Sequence, residues 1–246
     1  MVRLLIGAGM AIALCGGSED HRGTPQDPRQ AVLVELFTSE GCSSCPPADA
    51  LLEYLDQTQP VAGAQIIVLS EHVDYWNHIG WSDPYSSPAF SARQELYAHR
   101  FRLNGPYTPQ MVVDGRSELV GSDARGAESA IRVALQQPKV SIRIEGESHL
   151  ATVEVDPLPP GTANTANVYL ASTADDGTSD VLRGENKGRR LHHVSIAKDL
   201  KQAGTVDHRS GFRTQIPVET GIRLIVFVQE SGNGPVWGAA VHAAKR

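Results

Sequence analysis

Glu40-Gly41-Cys42-Ser43-Ser44-Cys45-Pro46-Pro47-Ala48-Asp49 sets two thiols three residues apart, between the apolar run Val32-Leu33-Val34-Glu35-Leu36-Phe37 and a helical pattern. The run reads as a strand, while Ala48, Leu51, Leu52 and Leu55 follow the i, i+3, i+4, i+7 spacing of a helix. A strand that delivers a C-x-x-C to the start of a helix marks a dithiol redox site. A thiol there lies near the positive end of the macrodipole, which favours thiolate, the attacking species in disulfide exchange. Pro46 and Pro47 qualify this placement, because each disfavours helical backbone in the residue before it. The helix is therefore expected to begin at Pro46 or Pro47, with Cys42 in the preceding loop.

Working outward, the first strand is predicted over about 31–38 and a second at Gln65–Ser70, whose continuous apolar run suits a strand covered on both faces. An aromatic segment, His72-Val73-Asp74-Tyr75-Trp76-Asn77-His78-Ile79-Gly80-Trp81, comes next. Ser87 is a natural N-cap and Pro88 a natural first residue for a helix carrying Phe90, Tyr97 and Phe101, with Asn104-Gly105-Pro106 as its stop. Thr108-Pro109 leads into an apolar strand that turns at Asp114-Gly115 and pairs back through Ser117–Val120. A third helix over about 124–136 follows. Strand–helix–strand–helix, then proline–strand–strand–helix, is the thioredoxin order of elements.

After Pro138 the texture changes to about seven short alternating strands separated by turn residues, which suits an antiparallel sandwich. The fold class expected is thus an α/β thioredoxin-like N-terminal domain, residues 31–137, followed by a C-terminal all-β sandwich-like domain, residues 138–246. Residues 18–30 are polar and proline-bearing and read as a linker. Residues 1–17 read as a secretory leader: Arg3 precedes an apolar stretch from Leu4 to Leu14, with Ala11-Ile12-Ala13 as a small-x-small cleavage signal. That stretch falls short of the about 20 residues a bilayer span needs, so no transmembrane span is expected in the mature chain. Leu14 is too large to precede a lipidated cysteine, which assigns Cys15 to the leader or its edge. The expected location is secreted or periplasmic.

The chain has 246 residues and a net charge of −6, which offers no electrostatic footprint for nucleic acid or an anionic membrane. Once the leader is removed, Cys42 and Cys45 are its two cysteines. In an oxidising compartment a vicinal pair points to a disulfide or redox site before a metal cluster.

The stretch from Val34 to Asp49, with His72-Val73-Asp74-Tyr75-Trp76, Gly80-Trp81, Tyr107-Thr108-Pro109-Gln110 and Gly184-Glu185-Asn186, resembles a bacterial family of secreted proteins catalogued as domain of unknown function 1223. That resemblance implies a thioredoxin-like fold and export, and no particular substrate. The wider superfamily implies thiol–disulfide exchange, with Cys42 as the exposed nucleophile, Cys45 as the resolving thiol and Pro109 as a cis-proline facing them. Thr108 would then offer its backbone to a bound peptide and its hydroxyl to a thiolate.

Glu35, seven residues before Cys42, is either a buried proton acceptor for Cys45 or an outward-facing strand glutamate. Glu40 would oppose a thiolate and is assigned no role. His72, Asp74, Trp76, His78 and Trp81 follow the second strand, where ligands bind in open α/β sheets; they form either a substrate rim or an aromatic plug over a small core.

Three functions fit. The first is a thiol–disulfide oxidoreductase without a cofactor, acting on protein or small thiols and reset by a separate redox partner. The second is a Cu(I) or Zn(II) carrier using Cys42, Cys45 and either His72 or His78. The third is a partner-binding module in which the cysteines only staple a loop.

Overall fold

A computed structural model describes residues 29–147 and 149–242. The leader, nearly all of the linker and Cys15 lie outside the described residues. The element order is β1 (Gln30–Thr38), α1 (Pro46–Thr58), β2 (Ala64–His72), α2 (Pro88–Arg100), β3 (Gln110–Val113), β4 (Ser117–Val120), α3 (Ala124–Ala134), then β5 (Ile142–Glu147), β6 (Leu150–Val155), β7 (Thr165–Asp180), β8 (Arg190–Asp207), β9 (Phe212–Pro217), β10 (Ile222–Gln229) and β11 (Val236–His242). The result is a mixed α/β fold with a large sheet and few helices.

β1 and β2 run parallel, with Val34 opposite Val68, and their alternating side chains bury both faces. Val32, Val34, Leu36, Ile66 and Val68 face α1 and α3, meeting Leu52, Leu55 and Ile131. Leu33, Ile67 and Leu69 face the other way, toward Phe90 of α2 and Phe227 of β10. This two-sided burial is why both strands read as unbroken apolar runs. β3 pairs antiparallel to β1, with Leu36 opposite Met111, and β4 closes the hairpin. Local chemistry sets the helix starts: the Ser87 hydroxyl accepts from the Ala89 N–H with Pro88 next in line, and Asp123 accepts from the Gly126 N–H.

The C-terminal half is all-β, but it does not form a sandwich apart from the first half. One eight-stranded sheet runs β11-β10-β7-β8-β2-β1-β3-β4, so four C-terminal strands continue the sheet that carries the cysteines. β8 lies parallel to β2, with Ile196 opposite Ser70, covering an edge that would otherwise offer unpaired backbone groups. Only β5, β6 and β9 form a second layer, and their Ile142, Val153 and Val155 pack on Val168, Val226 and Trp237 of the large sheet. β7 and β8 are 16 and 18 residues long, far beyond the short alternating strands expected after Pro138. Their outer halves alternate polar residues with little apolar content, so periodicity alone stops short of their ends.

Candidate functional site

Cys42 and Cys45 are joined in a disulfide where the carboxyl end of β1 meets the start of α1. Cys45 is the N-cap of α1, Pro46 begins the helix, and the Ala48 and Asp49 N–H groups donate to the Cys45 carbonyl at 2.8 and 3.1 Å. Cys45 keeps helical backbone, at φ −77° and ψ −36°, although a proline follows it, and Pro46 and Pro47 occupy the first turn, where a missing N–H costs no helical bond; Cys42 lies in the loop and Cys45 at the positive end of the dipole. The Ser44 hydroxyl donates to the Cys42 sulfur at 3.3 Å. Both cysteines are fully buried, so the exposed Cys42 that the superfamily implies is not found in this oxidised state.

The cover comes from two directions. Trp76 packs over the loop so closely that a Cβ on Gly41 would stand 2.9 Å from the Trp76 Cβ. Its indole N–H donates to the Thr108 hydroxyl at 2.8 Å, so Thr108 is engaged by Trp76. The Thr108–Pro109 bond is cis. Pro109 lies close to the first turn of α1, since a Cβ on Gly121 would meet both Pro109 and Ala48 at 2.9 and 3.0 Å. From the other side, the loop between β7 and β8 folds onto the cysteines. Asn186 is buried and donates to the carbonyls of Glu40 and Cys42, both at 2.9 Å, and the Ser43 N–H donates to the Glu185 carboxylate at 3.1 Å.

Beneath the disulfide lies a buried polar cluster. Glu40 is fully buried and accepts from the Trp81 indole N–H at 2.8 Å, with its other oxygen 3.2 Å from His193 Nε2. His193 Nδ1 stands 3.7 Å from Asp49, which accepts from the Thr38 hydroxyl at 2.8 Å. Burial alone would push the His193 imidazole down, but Asp49 and Glu40 outweigh it and hold it up at about 10, so it is cationic at neutral pH. The His72 ring meets His193 edge-on at 4.5 Å and bonds Asp83 at 2.7 Å. Burial works to raise the Asp83 carboxyl, yet His72 and the N–H groups of Glu40 and Tyr85 outweigh it and keep it below its ordinary value.

Glu35 is neither outward-facing nor beside Cys45. It is buried on the α2 face, where Arg93 donates to it at 2.5 and 2.7 Å and the Tyr97 hydroxyl at 2.5 Å. Glu71 joins that cluster 3.5 Å from Arg93, its carboxyl raised chiefly by burial and further by Glu35. His72 is buried against Asp83 and Trp76 packs on Gly41, whereas His78 is exposed. Asp74 turns aside, accepting from the Ser91 hydroxyl at 2.5 Å. Among the described residues no three His, Cys, Asp or Glu side chains are grouped to hold a metal ion, and the two sulfurs expected to bind one are bonded to each other.

The residues not anticipated are Glu40, Asp49, Glu185, Asn186 and His193. Glu40 is discounted on charge alone, because its compensating His193 sits 153 residues away. Gly184-Glu185-Asn186 carries a signal, as part of the family resemblance, without any hint of where it docks.

A crystal structure of protein AGR_C_4864 from Agrobacterium tumefaciens is similar, with a TM-score of 0.73 and 26% identity over 90% of this chain and 97% of that one. HBP35 of Porphyromonas gingivalis shares the fold at 15% identity and a TM-score of 0.57, over 89% of this chain and 77% of that one. No curated protein matches. The model of a protein family of unknown function, DUF1223, matches residues 33–229, a span that takes in the dithiol, the Trp76 cover and the Glu185–Asn186 loop, and the chain belongs to that family.

Proposed function

We propose that the protein is an exported thiol–disulfide oxidoreductase with a thioredoxin-like site, in which the Cys42–Cys45 couple exchanges with protein or small-molecule thiols. The observation that carries this reading is a disulfide at the positive end of α1, backed by the buried Glu40–His193–Asp49 cluster. A substrate thiolate attacks the Cys42 sulfur, the Cys42–Cys45 bond breaks, and Cys45 leaves as a thiolate that the helix terminus stabilises. A second substrate thiolate then attacks the substrate sulfur of the mixed disulfide, releasing the substrate disulfide and the Cys42 thiolate. Two electrons pass from two thiols to the protein, and another thiol–disulfide protein removes them. Glu40 and Asp49 flank the two cysteines, two residues before Cys42 and four after Cys45, and both face His193, whereas Glu35 is held by Arg93 and Tyr97 on the α2 face.

Cys45→Ser tests this reading. Reduced and mixed with glutathione disulfide, the folded variant is expected to retain one glutathione on Cys42 by intact mass, because the resolving thiol is gone. A second reading, a binding module stapled by its disulfide, is favoured by the complete burial of both sulfurs. Absence of any adduct on the folded variant would support the staple and overturn the oxidoreductase.

A further inference from the structure

The loop that covers the cysteines, Val181 to Arg190, has the sequence VLRGENKGRR: four cations against Glu185 as its one anion, in a chain whose net charge is −6. Arg183, Lys187, Arg189 and Arg190 are exposed. Among the described residues none of the four stands within ion-pair distance of a carboxylate. Arg189 instead donates to the Asn186 side-chain oxygen at 3.0 Å, which places its guanidinium beside the residue that grips the Cys42 carbonyl. Asp180 faces Arg190 across the β7–β8 ladder, and Glu185 is occupied by the Ser43 N–H. With four cations against Asp180 and Glu185, the segment from Asp180 to Arg190 keeps two net positive charges, and it is tied to the cysteine loop at Ser43, which with Ser44 is exposed between the two cysteines. A solvated run of charge needs no such position; this one is fastened to the dithiol by three hydrogen bonds.

We infer that this loop selects the substrate of the dithiol by charge: the preferred thiol or disulfide carries carboxylates or other anionic groups near its sulfur. The inference rests on the oxidoreductase reading above. Cations beside the entry concentrate anionic thiols there, and they lower the cost of bringing a thiolate, itself an anion, up to the Cys42 sulfur. The exchange follows the same course: the anionic thiolate bonds to Cys42, Cys45 departs with the electron pair of the broken bond, and a second anionic thiolate completes the two-electron reduction.

The test is the rate at which mercaptoethanesulfonate (anionic), 2-mercaptoethanol (neutral) and cysteamine (cationic) reduce the disulfide of the folded full chain, each rate divided by its thiolate concentration. At low salt the anionic thiol is expected to react about tenfold faster than the cationic one, with the gap closing as salt screens the exposed charges. Arg183→Glu with Lys187→Glu, both on exposed positions, is expected to erase or invert that order. Equal rates for all three thiols in the wild type, or an order indifferent to salt and to the double variant, would overturn the charge selection while leaving the oxidoreductase reading intact. Failure of every thiol to reduce the folded protein would overturn both.

Discussion

At the scale of single residues, two buried charge clusters divide the labour on opposite faces of the sheet. His193 is the cation of the one beneath the disulfide. Its ordinary value of 6.5 applies to the unfolded chain, and about 10 to the folded one. Between those values the folded state binds more protons than the unfolded state, so the contribution is complete below about pH 6.5 and disappears as pH rises through about 10. The groups facing His193 are Glu40 and Asp49, with the His72 and Tyr85 rings alongside. The urea midpoint of the wild type is therefore expected to fall from pH 7 to pH 10. His193→Gln should begin lower at pH 7 and show a flatter decline; an identical decline in both would contradict this assignment. Arg93 is the cation of the other cluster, shared by Glu35 and Glu71. Arg93→Met would strand those carboxyls in the interior and is expected to cost about 3–5 kcal/mol by denaturant unfolding. A loss within experimental error would show that the cluster contributes little.

At the scale of elements, the loop between β7 and β8 is fastened to the backbone around Cys42. Asn186 holds the carbonyls of Glu40 and Cys42 with a single side-chain nitrogen, and nothing else on that loop is as deeply buried apart from Val181. Asn186→Ala removes both bonds and leaves the carbonyls to water. Reduction of the disulfide by a neutral thiol is expected to speed up about tenfold or more, if the cover opens at the cost of about two hydrogen bonds. An unchanged rate would place the barrier under Trp76 instead. Much of the element level is readable from local chemistry. Ser87 and Pro88 declare the start of α2, Pro46 that of α1, and the apolar runs of β1 and β2 announce burial on both faces. The outer reaches of β7 and β8 are not readable, since each carries little apolar period of its own and is held by pairing with the apolar part of the other strand, as in Ala174 opposite Ile196 and Lys201 opposite Leu170.

At the scale of the whole molecule, the C-terminal half completes the dithiol site. It supplies Glu185, Asn186 and His193 to a loop whose cysteines come from the first half, and β8 extends the same sheet beside β2. Sequence periodicity cannot foresee this, because an all-β segment reads the same whether it forms its own sandwich or lengthens a neighbour's sheet. It also explains why the placement of Glu40 and Glu35 is not legible locally: Glu40 faces His193 and Glu35 is held by Arg93, each a partner far away in the chain. The central claim, that this buried couple works as a redox pair within the folded protein, is tested most directly by equilibrating the full chain in glutathione buffers and counting free thiols by alkylation and mass. The expected result is a reversible two-thiol transition in folded protein at a potential above about −300 mV, the range of exchanging rather than structural disulfides. A couple that stays oxidised throughout, or yields its thiols only when the chain unfolds, would contradict it.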